Sequence, residues 1–275
     1  LDPPAEWKIK RGRDDGARQR RFPLPSIIMS PIMSIIAIHR GALARLTLPL
    51  LVLGLVACGH GADDGGYFPL TPGSRWQYRV ERTTMDGSRE LRHALSVLDP
   101  LANQPADLRV RVTLDGQRYL YRLNDDGIYR VGIERRHGPR SAEDDQQQLV
   151  MPRHPVLDQQ WQGRSSTAVL ESSAAPWETL FRAQVPLTMQ FRVAALDAAV
   201  TTPAGAFKSC LLLEGQGQAD ADLGNGVGAT HIEVTTREWY APGVGLVRME
   251  RHEQTSAKGL SAGALVMELD DWSQP

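Results

Sequence analysis

The stretch Leu108–Glu134 reads LRVRVTLDGQRYLYRLNDDGIYRVGIE, and its period is two residues. Leu108, Val110, Val112 and Leu114 fall on one face, with Arg109, Arg111 and Thr113 on the other, as an extended strand requires. Asp115-Gly116 then supplies the positive φ angles of a tight turn, and Tyr119, Tyr121 and Leu123 alternate on the return. A second turn at Asn124-Asp125-Asp126-Gly127 leads into Ile128–Glu134. Three consecutive antiparallel strands follow, and with them an antiparallel, all-β class.

The same period extends outward. Trp76, Tyr78 and Val80 alternate with polar residues, as do Leu91, His93, Leu95 and Val97 beyond Asp86-Gly87, so residues 76–97 form a hairpin. Further strands are expected at 164–171, 189–200, 207–217, 230–240, 245–254 and 262–271, about eleven in all. Helix is confined to one candidate, Pro176–Ala183, with Pro176 at the first helical position and Glu178 in the first turn. Residues 136–148 have the composition of a solvated loop. A single curved antiparallel sheet, half-barrel or barrel accommodates this pattern.

The chain has 275 residues, with 31 Lys+Arg against 32 Asp+Glu, 41% apolar and 6% aromatic residues. That excludes a disordered polyelectrolyte, and two cysteines, Cys58 and Cys210, exclude a disulfide scaffold. Residues 46–57 form a twelve-residue apolar run preceded by Arg40 and Arg45 and followed by Cys58. The run is too short for an ordinary membrane span of about 20 residues and has the layout of a secretory signal. Residues 1–28 contain five arginines, begin with Leu rather than Met, and have the character of an upstream extension. A start at Met29 or Met33 leaves a signal of ordinary length, 29–57. The tract 58–66 is a glycine-rich tether, and 67–275 the β domain.

Leu55-Val56-Ala57-Cys58 resembles the bacterial lipobox, in which the cysteine thiol receives a diacylglyceryl group before cleavage in front of it. The resemblance implies that Cys58 becomes the lipidated first residue of the mature chain and anchors it to a membrane. Gly59, where an aspartate favours inner-membrane retention, implies the periplasmic face of the outer membrane. The first 57 residues hold nine basic and four acidic side chains. That leaves 22 basic and 28 acidic in the remaining 218, a net charge of −6, which disfavours nucleic acid as a partner and leaves attachment to the lipid.

Three segments, Tyr67–Tyr78, Thr202–Cys210 and Trp239–Val247, resemble landmarks of bacterial envelope lipoproteins that share the curved antiparallel sheet of the LolA and LolB lipoprotein carriers. Pro72-Gly73 and Pro242-Gly243 suit turns, and Trp76 and Trp239 have the bulk to plug a barrel's ends. The carrier pattern places helices on the concave face, which this sequence scarcely offers.

The sequence contains no His-Glu-x-x-His, Cys-x-x-Cys or phosphate loop, and it implies no cofactor and no metal. Cys210 precedes Leu211-Leu212-Leu213 and is expected to be an inert core thiol. His231 and Glu233 are the pair best placed to act together, pointing inward from one strand. Asp220-Ala-Asp222-Leu-Gly224 has the wrong register for a calcium loop and is expected to be a hairpin turn. The expected function is a non-catalytic binding or structural module with a lipid or envelope-protein ligand. One alternative is a carrier or sensor of a lipophilic component, lined by Trp76, Tyr119, Tyr121 and Trp239. Another is a hydrolase whose acid and base converge from separate strands.

Overall fold

Alternation of buried and exposed side chains builds the molecule from its first strand: in β1 (Arg75–Thr84), Trp76, Tyr78 and Val80 are buried while Arg75 and Gln77 are exposed. The computed structural model describes residues 66–84, 87–136, 146–174, 178–224, 228–257, 260 and 262–275. All belong to one compact unit, Cys58–Pro275. The upstream extension, the signal segment and Cys58 lie outside the described residues.

The strands after β1 are β2 (Gly87–Val97), β3 (Leu108–Thr113), β4 (Arg118–Leu123), β5 (Gly127–Glu134), β6 (Gln148–Pro152), β7 (Gln160–Ser166), β8 (Glu171–Ala174), β9 (Glu178–Arg182), β10 (Pro186–Thr202), β11 (Gly205–Asp222), β12 (Ala229–Ala241), β13 (Gly245–Thr255) and β14 (Gly263–Ser273). Twelve form one antiparallel sheet in the order β6-β5-β4-β3-β2-β1-β14-β13-β12-β11-β10-β7, and β8 pairs with β9. The ends of the sheet meet where the Gln148 side-chain amide on β6 donates to the carbonyl of Arg164 on β7, 3.3 Å away. The result is a nearly closed barrel without helix among the described residues.

Two expectations are corrected. The segment expected as helix is strand β9, because Thr179, Leu180 and Phe181 continue the chain as an antiparallel return on β8. The described strands number fourteen rather than about eleven, and the expected strand at 164–171 is split between β7 and β8. Between them Thr167 is buried and bonded, its hydroxyl donating to Ala183 O (2.5 Å) and accepting from Val185 N (2.9 Å).

The first triplet of strands is where the sequence places it, with Gly116 at φ +85° in the β3–β4 turn. Its arginine face, however, is the one turned to the core. Arg111 is 7% exposed whereas Leu114 is 73% exposed, because the carbonyl and rings of the preceding Tyr67–Leu70 segment receive a guanidinium inside.

The interior is filled by side chains. Phe68 and Leu70 pack with Tyr121, Ile128, Met151, Trp161, Leu213 and Tyr240. Leu170, Ala183, Leu187, Met189, Ile232 and Leu260 pack as a second group under the β7–β8 connection. Close packing fixes glycines on the inner face: a Cβ on Gly215 would stand 2.9 Å from the Phe191 ring, and one on Gly163 2.8 Å. Phe191 thus lies across both neighbouring strands and stacks on Trp161 with centroids 5.8 Å apart.

Candidate functional site

On the outward face of β7, β10, β11, β12 and β13 the register aligns polar side chains into rows across the strands. One row is Gln162, Gln190, Gln216, Thr235 and His252, each opposite the next in the ladder. Adjacent strands lie about 4.8 Å apart, so the row is a ladder of amide and hydroxyl groups able both to donate and to accept. The neighbouring row is Gln160, Arg192, Glu214, Arg237 and Glu250. Its charges are paired: Arg192 binds Glu214 at 2.7 Å and Asp158 at 2.8 Å, and Arg237 lies 3.6 Å from Glu214.

Two adjoining clefts of about 390 and 590 Å³ lie over these rows, sharing Gln190, Gln216 and Thr235. Two arginines and two glutamates line the first, so its charges balance. The second is lined by amides and hydroxyls with Glu233 as its one ionisable side chain, so together the clefts offer dense hydrogen bonding with little net charge. Alternation marks these side chains as outward in the sequence, but the cross-strand register that gathers them was not readable.

The aromatic residues singled out in the sequence do not form one wall. Trp76 is 2% exposed, with its indole N–H donating to Val244 O at 2.7 Å. Tyr121 is buried, its ring 5.3 Å from Phe68, and burial raises its hydroxyl pKa. Tyr119 is half-buried; its hydroxyl accepts from the Gln117 amide, and burial raises its pKa as well. Trp239 falls on the opposite face of the sheet, where the guanidinium carbons of Arg237 and Arg248 lie 5.2 and 5.9 Å from its ring. A depression of about 700 Å³ over β1–β3 adjoins Trp76 and Tyr78, but both are 2% exposed and present little side chain to it.

Cys210 is fully buried, and burial raises its thiol pKa. His231 and Glu233 face outward rather than inward, since Ile232 and Val234 between and beside them are the buried positions of β12. His231 Nδ1 lies 2.8 Å from Asp220 on β11, and its Nε2 lies 3.7 Å from Glu233. The Asp220 hydrogen bond raises the His231 pKa above its ordinary value. Histidine resonances are therefore expected to show His231 titrating above about 6.5, and Asp220→Asn to bring the midpoint down. Because the folded value is the raised one, this bond contributes fully below the unfolded pKa and is lost as pH rises through the folded one. An Asp220→Asn titration that overlays the wild type would show that the pair does not persist in solution. Asp220–Asp222 belong to β11, and Asp222 pairs with Ala229 across a hairpin whose tip lies outside the described residues.

Sequence reading passed over two inward-facing carboxylates, one fully buried and one half-buried. Glu253, fully buried on β13, accepts from Arg251 Nε (2.6 Å) and from the backbone N–H groups of Ala168 (2.8 Å) and Val169 (2.9 Å). Glu238 shares the inner face of β12 with Tyr240, whose hydroxyl donates to it at 2.6 Å. Burial raises this carboxyl's pKa, with the Tyr240 bond and the Arg251 charge opposing. Among the described residues no group of three or more His, Cys, Asp or Glu side chains is arranged to hold a metal ion.

A DUF3108-like family model matches residues 183–260, from the approach to β10 through β13. No curated protein matches the chain. Among solved structures, the chain is similar to a Bacteroides fragilis protein described as exported and of YmcC-like fold. The identity is 16% with a TM-score of 0.38, covering 76% of this chain and 99% of that one. It is also similar to a Parabacteroides distasonis protein described as a lipoprotein, at 13% identity and TM-score 0.35, covering 76% of this chain and 98% of that one.

Proposed function

We propose that the chain is a lipoprotein of the bacterial envelope, held through acyl chains on Cys58 at the periplasmic face of the outer membrane. Its β domain is a non-catalytic binding module that takes an uncharged, hydroxyl-rich polymer across β7 and β10–β13. The Leu55–Cys58 lipobox supports the anchor. The observation that carries the binding role is the row of amides and a hydroxyl, Gln162, Gln190, Gln216 and Thr235, that runs on to His252 beside a row whose charges are paired. Glutamine amides match hydroxyl ligands because each offers two donors and an acceptor. A packed interior favours this outward surface over an internal lipid site, since Trp76 and Tyr121 are buried against protein.

The test uses the full chain expressed in a Gram-negative host fed an alkyne-tagged fatty acid. Wild type is expected to carry the label and Cys58→Ser to lose it. The solubilised protein is then passed over immobilised neutral oligosaccharides. Gln190→Ala/Gln216→Ala is expected to weaken capture about tenfold, on the scale of removing two hydrogen-bonding side chains. Label on Cys58→Ser removes the anchor, and capture unchanged in the double variant removes the groove.

A further inference from the structure

Strand β2 outruns its neighbour on one side. It pairs with β1 along Gly87–Ser96, but with β3 only at Leu95–Val97, where β3 ends and the β3–β4 turn begins. Leu114 N–H to Ala94 O, at 3.1 Å, is the next bond across that gap. In an antiparallel pair alternate residues bond to alternate neighbours. Val97 N–H donates to Ser74 O, so the odd-numbered residues of β2 address β1. Ser88, Glu90 and Arg92 then turn their backbone groups the other way, where among the described residues no strand pairs with them.

Edges of this kind are usually blunted by proline, a bulge, a covering segment or charged side chains, and of these only charges, Arg89, Glu90 and Arg92, are present here. The sequence Ser88-Arg89-Glu90-Leu91-Arg92-His93 has no proline, and its register with β1 is unbroken. Leu91 is 47% exposed on the face it shares with buried Val80.

We infer that this edge pairs antiparallel with the same edge of a second copy of the chain, about a two-fold axis through Leu91. The sequence is self-complementary in that register. Glu90 stands opposite the second copy's Arg92, and the reverse pair repeats it, while Leu91 stands opposite Leu91. The backbone phase agrees. Glu90 and Arg92 are the outward-bonding residues, so their pair exchanges N–H···O bonds. Leu91 then falls at the non-hydrogen-bonded position, where facing side chains come closest. Arg92 also bonds Asp270, which balances the second arginine on this edge, Arg89. Arg89 meets His93, and burial lowers the His93 pKa, so that contact does not add a second cation at neutral pH. The interface is isologous and short, its ladder ending at the two Arg89–His93 pairs because the next outward carbonyl, Ala94 O, is already bonded to Leu114 N–H.

Sedimentation of the detergent-solubilised full chain is expected to show a concentration-dependent dimer. E90R places like charges opposite each other twice and is expected to weaken it about tenfold; E90R combined with R92E restores it to within about threefold of wild type. Register is read by cross-linking in a Cys58→Ser background. Leu91→Cys is expected to form a disulfide-linked dimer under mild oxidation, since non-hydrogen-bonded Cα atoms lie about 4.5 Å apart. Arg89→Cys, displaced from the axis, is not. A monomer at all concentrations overturns the inference, and so does equal cross-linking at the two positions.

Discussion

Glu253→Ala is expected to lower the thermal midpoint of the domain by about 10 °C, from a loss of about 3–5 kcal/mol at about 2–4 °C per kcal/mol for a domain of this size. The carboxylate is fully buried and accepts three charge-assisted bonds, from Arg251 and from the N–H groups of Ala168 and Val169. Truncation leaves a buried guanidinium without its carboxylate and two backbone donors without an acceptor. Those donors open the β7–β8 connection, whose Val169 and Leu170 side chains are fully buried, so the local loss propagates into packing. The Arg251 side chain is also tied to Ser166 O at 2.7 Å, and keeps part of the connection in place. A variant carrying Arg251→Met and Glu253→Leu together removes both charges and is expected to melt well above Glu253→Ala. Calorimetry of the three proteins decides the point. A shift for Glu253→Ala below about 3 °C would mean that the connection is held by its apolar side chains alone.

The fold was legible where period two ran between turns that a residue type dictates. Asp115-Gly116 and Asn124–Gly127 fixed three strands because only a few backbone conformations close such loops, and β3, β4 and β5 follow. Pro176 misled because proline and an acidic residue open a helix and a short strand alike, and what decides Glu178–Arg182 is its pairing with β8, a tertiary fact. The inward face of β3 was hidden for a related reason. Alternation separates two faces without naming the buried one, and a row containing arginine is ordinarily the wet one. The outward Gln row depends on the register of β7 with β10 and of β10 with β11, strands joined through other elements or bent by register shifts at Val193–Val200. His231 and Glu233 illustrate the same limit, since one strand's pattern places them together but their direction depends on what Ile232 and Val234 bury.

Arg111 gives the sharpest separation between packing and charge. Its guanidinium carbon lies 3.8 Å from the centre of the Phe68 ring, 4.9 Å from that of Trp76 and 5.8 Å from that of Tyr121. Nη2 donates to Pro69 O at 2.7 Å, while Nε has no hydrogen-bond partner among the described residues. Burial lowers its pKa, with the neighbouring Tyr121, Tyr78 and Tyr240 opposing. Arginine remains charged even so, and the quadrupoles of the stacked rings stand in for a carboxylate. Arg111→Ala removes the stem that fills this space and the bond that fastens the Tyr67–Leu70 segment, and is expected to cost about 3 kcal/mol. Arg111→Met keeps the stem volume and removes the cost of burying a charge, so it is expected to lie within about 1 kcal/mol of wild type. Arg111→Lys keeps a charge but concentrates it on a more strongly hydrated ammonium without the flat face, and should fall between the two. Denaturant melts give the order directly. Should Lys match wild type while Met falls to the level of Ala, the charge itself would be what the site conserves. The aromatic box would then have to be regarded as a cation held for an anionic partner rather than as a packed plug.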